Sequence, residues 1–321
     1  MTSHDTDTAS TSATTLGDVP RGEVRVGPES EADRPPRRLP GWARVVLAVV
    51  ALFAASSSPA VLALVPDVDA RLDAWPLPAG VAVIVTVYTL PTLVAWLLVR
   101  ALMRWVDRRP MGETGWAWTH RSARALLLGM AVIVVLVVVT GLLVEAVAPT
   151  RPIDPQALTG GWPLWAVIVV ALARAFLLQG IPEELIWRGY VMQTLRTPPV
   201  VSAYVSAGVF ALLHLSSQGG QENAVERVLY LAVPFGFGLL AGALVLRTGS
   251  LCAAIGVHGG FHVAVTILTL WCGVGNGPAL WVAWGVVTTL AAAWLLHRPA
   301  RCEPVSRFSN FEVVEGRPSK W

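Results

Sequence analysis

Long apolar runs separated by short polar connections dominate the chain. Runs of roughly 20 apolar residues, each enough to cross a hydrocarbon core of about 30 Å, fall at 42–65, 78–103, 123–148, 162–194, 199–216, 226–247, 250–271 and 278–297. They predict an all-α polytopic membrane protein with about eight transmembrane helices. Prolines and polar residues mark most of the breaks, as at Pro66–Asp67, Pro110, Pro149 to Pro155, Pro198–Pro199 and "SSQGGQEN". The breaks at 194–199 and 247–250 are so short that the flanking helices must be antiparallel neighbours. Outside this 41–298 domain the pattern stops. Residues 1–40 are rich in Ser, Thr, Asp and Pro without apolar periodicity, which predicts a disordered tail and not a signal peptide. Residues 299–321 read as a second polar tail.

Composition agrees. Hydrophobic residues are 54% of the 321 positions and charged residues 14%, well below the quarter or so typical of soluble domains. The three cysteines, Cys252, Cys272 and Cys302, are too scattered for a disulfide framework or a metal knuckle. The net charge of +3 comes mostly from arginines near helix ends, so the expected partner is the lipid bilayer and not nucleic acid. Arginines gather before the first span, between spans two and three, four and five, and six and seven, and after the last. The positive-inside rule then places both termini in the cytoplasm. A single lysine, Lys320, beside many arginines and alanines suggests a bacterial plasma membrane.

Ionisable residues inside spans cost several kcal/mol unless paired or hydrated. They concentrate in the second half of the chain: Glu183, Glu184 and Arg188 in "GIPEELIWRGY", His214 in "GVFALLHLS", and His258 and His262 in "IGVHGGFHVAV". Glu184 and Arg188, four apart, can pair along one helix face, while Glu183 is turned by about 100° to a different neighbour. His258 and His262 share a face. At about 1.5 Å per residue from the cytoplasmic ends, Glu183, His214, His258 and His262 lie roughly 18, 22, 12 and 18 Å deep. One shared, hydrated cavity opening toward the cytoplasmic half is the expectation. Each group alone has a plainer reading: a structural ion pair for Glu184–Arg188, an interior hydrogen bond for His214, interhelical donors for His258 and His262. Arg174 reads as structural or snorkelling. Four such groups at matching depth favour a site.

Glu183-Glu184-x-x-x-Arg188-Gly189, then Phe210-x-x-x-His214, then His258-x-x-x-His262 resemble the three motifs of the CPBP intramembrane proteases. That family includes the type II CAAX prenyl endopeptidases (Rce1-like) and bacteriocin-processing or immunity relatives. The resemblance covers roughly residues 160–275. It implies an eight-helix fold and endopeptidase activity, with Glu183 as the general base assisted by His214. Glu184 and Arg188 would orient and charge-balance that glutamate, and His258 and His262 would stabilise the oxyanion. His262 stands where the family usually has Asn or Asp.

Peptide hydrolysis needs a base for water, stabilisation of the tetrahedral oxygen and a proton for the leaving amine. Two architectures fit these residue types. Zinc or another divalent metal held by His214 and His258, with His262 or Glu183, would supply activated water; alternatively, Glu183 and His214 activate water directly. An HExxH motif is absent, so the choice stays open. The substrate class is a membrane-associated protein or peptide. Two other functions compete: a non-catalytic immunity or scaffold protein of this fold, and a proton-coupled transporter. The transporter would call for repeated hydropathy between halves, which the chain lacks.

Overall fold

The computed structural model describes residues 39–68, 70, 74–150, 159–217 and 219–298. The expected tails at 1–40 and 299–321 fall almost wholly outside the described residues. Among these residues there is no strand, and eight helices are long and apolar enough to cross a membrane. They are α1 (Gly41–Leu64), α2 (Leu77–Asp107), α3 (His120–Val147), α4 (Leu164–Thr194), α5 (Pro199–Ser216), α6 (Ala224–Thr248), α7 (Leu251–Cys272) and α8 (Pro278–His297). This is a multi-pass, all-α membrane protein.

The helix ends follow local chemistry. Thr119 caps α3 by accepting from the Ser122 N–H, and Asn223 caps α6 by accepting from Glu226. Each side-chain oxygen satisfies a backbone donor that the first turn leaves unpaired. Gly249 and Gly273 end α6 and α7 at φ 66° and 67°, a left-handed conformation that glycine adopts without strain. α2 runs four residues past its expected end, in a π-helical turn at Leu102–Asp107. The reason is a buried ion pair: Arg44 of α1 donates to the Asp107 carboxylate at 2.8 Å.

α7 lies among α3, α4 and α6, and its contact with α3 is the most extensive helix pair among the described residues. Small residues make that contact close. A methyl group added at Gly129 would overlap the backbone of Ala253, and one at Gly256 would overlap the backbone of Leu126. Gly260 meets Met130 and Ile133 in the same way. In hydrocarbon, where helices gain little from hydrophobic association, such packing is a main source of adhesion. The result is a fixed wall from which His258 and His262 project.

Candidate active site

α4 is not a uniform helix. Pro182 has no N–H, and its ring crowds the carbonyl four residues earlier, which disfavours a continuous α-helical path. The chain is π-helical over Arg174–Gly180, α-helical over Ile181–Glu184, and π-helical again over Leu185–Val191. Such turns add residues to the helix and are frequent at functional sites. The two glutamates sit on the short α-helical piece between them.

Their surroundings differ sharply. Glu184 is fully buried; its Oε1 accepts from Arg188 Nη1 at 3.0 Å and from His258 Nδ1 at 2.9 Å. Glu183 keeps 14% of its side chain exposed, and its Oε2 lies 4.0 Å from His258 Nε2. The expected Glu184–Arg188 pair is therefore present, but Glu184 also holds His258, a bond across 74 residues of sequence. Because a carboxylate accepts, His258 donates through Nδ1, and in the neutral ring Nε2 carries the lone pair. That nitrogen faces Glu183.

Phe210 organises the remaining groups. Its ring lies under the Arg188 guanidinium, 4.8 Å away, and its centroid is 4.6 Å from His214 and 6.2 Å from His258. His214 Nδ1 donates to the Phe210 carbonyl at 2.8 Å, so its Nε2 also carries a lone pair. The Arg188 guanidinium occupies the space that a side chain at Gly238 would fill. The His262 ring is 5.4 Å from that of His258, one turn further along α7. The structure thus joins Glu184, Arg188 and His258 directly, sets Glu183 beside them, and places His214 and His262 at the edge of the group.

Three residues outside the motifs bear on the site. The Tyr230 side chain pairs with that of Ser217 and is within electrostatic range of Glu183 and Arg174. Ser217 in turn donates to the His214 carbonyl at 2.8 Å. Arg174 also acts on His262. Only the charge of Arg174, in an apolar run, was a signal in the sequence; Tyr230 and Ser217 gave none.

Burial divides the site into two parts. Every residue in 184–192, 236–245 and 251–261 is buried, whereas exposure returns over much of 174–179, 224–232 and 262–273. The enclosed part lies toward the 194–199 and 248–251 turns.

Among the described residues, no three His, Cys, Asp or Glu side chains are grouped so that they could hold a metal ion. His214 and His258 each spend Nδ1 on a hydrogen bond, which leaves Nε2 as the nitrogen that could meet a water or a metal.

Residues 163–264 match the family described as Rce1-like, the type II CAAX prenyl endopeptidases. The matched segment is about a third of the chain and contains Arg174, Glu183, Glu184, Arg188, His214, Tyr230, His258 and His262. It is a protease family, and it agrees with the resemblance carried by the three motifs. No curated protein matches the chain.

Proposed function

We propose that this chain, through its Rce1-like segment, is an intramembrane endopeptidase that hydrolyses a peptide bond of a membrane-associated protein or peptide. The observation that carries this reading is the division of labour between adjacent carboxylates. Glu184 is spent on Arg188 and His258, while Glu183, partly exposed, lies beside His258 Nε2. A separation of 4.0 Å is too long for a direct hydrogen bond and suits a bridging water.

In the proposed reaction Glu183 takes a proton from that water, and the resulting hydroxide adds to the scissile carbonyl carbon. His258 orients the water by accepting from it, which Glu184 enforces by occupying Nδ1. This moves His258 from the oxyanion role to water positioning. His262 has no such commitment among the described residues and donates an N–H to the tetrahedral oxygen. Collapse of the intermediate breaks the C–N bond, and the leaving amine receives the proton held by Glu183. Glu184 and Arg188 act as positioning residues. A buried pair of this kind adds little stability over an apolar replacement, so its value here is the orientation of His258. His214 holds the Phe210 end of the site.

Arginine placement supports cytoplasmic termini. The test is proteolysis of a membrane-peptide library by purified protein, with products read by mass spectrometry. Cleavage by the wild type and none by Glu183→Ala is expected. Equal cleavage by both would end the assignment of Glu183, and none by either would favour a non-catalytic role.

A further inference from the structure

The connection between α2 and α3 is a charged surface that the proposed reaction does not use. Residues 104–124 hold five arginines and two carboxylates, Asp107 and Glu113. Both carboxylates are taken. Asp107 accepts from Arg44 of α1 at 2.8 Å, and Glu113 pairs with Arg109 at 2.9 Å. The segment has no carboxylate left for Arg104, Arg108, Arg121 and Arg124, all of them exposed.

These four arginines share a depth. α2 has 31 residues and α3 has 28, so the helices are about 46 and 42 Å long. A hydrocarbon core takes up about 30 Å, and the headgroup layers bring the total to about 40–45 Å. The helix ends therefore stand among the headgroups, and each of the four arginines lies within about one turn of such an end. Indole rings mark the same level. Trp42, Trp105 and Trp118 are the three most exposed tryptophans among the described residues, and tryptophan favours the headgroup layer.

The surface is also fixed. Arg109 Nη1 donates to the Gln193 carbonyl at the end of α4 at 2.7 Å, and the Leu251 N–H that opens α7 donates to the Gly115 carbonyl at 3.1 Å. Gly115 stands at φ 76°, and a methyl group there would come within 3.1 Å of the Leu251 nitrogen. The connection is thus fastened to the two helices that carry Glu183, Glu184, Arg188, His258 and His262. Its backbone needs no ordering before it meets a ligand.

We propose that the α2–α3 connection is a binding surface for anionic phospholipids. Arg104, Arg108, Arg121 and Arg124 pair with the headgroup phosphates, and Trp105 and Trp118 lodge beside them at the edge of the acyl chains. Arginine's planar fork meets phosphate through two parallel bonds, and each basic residue at a membrane surface adds to the attraction for anionic lipid. A zwitterionic lipid carries the same phosphate with its charge cancelled, so the surface discriminates by net charge. The binding stands independently of the endopeptidase reading.

The test is native mass spectrometry of the full chain in detergent, titrated with phosphatidylglycerol or phosphatidylcholine of matched acyl chains. The wild type should hold phosphatidylglycerol about ten- to a hundredfold more tightly. Arg104→Gln, Arg108→Gln, Arg121→Gln and Arg124→Gln together should remove that preference, while lysine at the same four positions should keep most of it. Should the fourfold glutamine variant not fold, the Arg104→Gln/Arg108→Gln and Arg121→Gln/Arg124→Gln pairs read the same loss in halves. Arg196→Gln with Arg298→Gln, two exposed arginines elsewhere at this end, should leave the preference unchanged. Equal affinity for the two lipids, a preference that survives the glutamines, complete loss with lysine, or an equal loss in Arg196→Gln/Arg298→Gln would each overturn the proposal.

Discussion

The two ends of the bundle treat the same kind of residue in opposite ways. Toward the 194–199 turn, Glu184, Arg188 and His258 are enclosed on all sides, and each has a partner within 3.0 Å. Toward the other end, Glu183, His262 and Arg174 keep part of their surface free. Charges at the closed end hold one another in place. Charges at the open end have capacity left for something that enters. The difference teaches that an ionisable residue in a membrane helix is better classified by what encloses it than by its depth.

The largest test of this contrast is Glu183→Gln, which keeps shape and removes the base. Hydrolysis should fall by about 10²–10⁴-fold with thermal unfolding in detergent unchanged. Near-normal turnover would take Glu183 out of the mechanism and leave the open half without a role in chemistry.

Arg188→Ala probes the closed half and should do the converse to the fold. It leaves Glu184 buried without its cation, a loss of about 3–5 kcal/mol for a broken buried pair. A marked drop in unfolding temperature is the expected result. If Arg188→Ala unfolds like the wild type, the closed half is not held by this pair.

Gly259→Ala lies on the border between halves, because a methyl there would overlap the Phe176 ring. Overpacking of that kind costs about 1–3 kcal/mol. Adding Phe176→Leu should return most of the lost stability. If the double variant is no better than the single one, the close approach of α4 to α7 does not depend on this contact.

The smallest expected effect is His262→Asn. As an oxyanion donor the amide can replace imidazole, so activity should stay within about tenfold, the span of one modest hydrogen bond. His262→Ala should lose more. A fall in metal content alongside activity in His262→Asn would favour the zinc reading.

Most of the fold was legible because hydropathy and span length are local properties. All eight spans appear within a few residues of their expected positions, and the Glu184–Arg188 pair followed from helical spacing. The bond from Glu184 to His258 was not legible, since no local spacing links residues so far apart. The unbroken burial of α6 over 236–245 was hidden for another reason: an apolar residue has the same hydropathy whether it faces lipid or another helix.

The glycine seam between α3 and α7 has a consequence for timing. With no room for a methyl group at Gly129, Gly256 or Gly260, these helices cannot shear past one another without breaking their contact. In the proposed reaction, breathing that lets cleaved fragments escape would then fall to the Leu164–Gly180 arm of α4, which changes from α-helical to π-helical at Arg174. Tilting of one such arm is a collective motion on the microsecond-to-millisecond scale. Departure of fragments, and not bond cleavage, would then set the turnover ceiling, and substitutions far from Glu183 along that arm would change the rate without touching the chemistry.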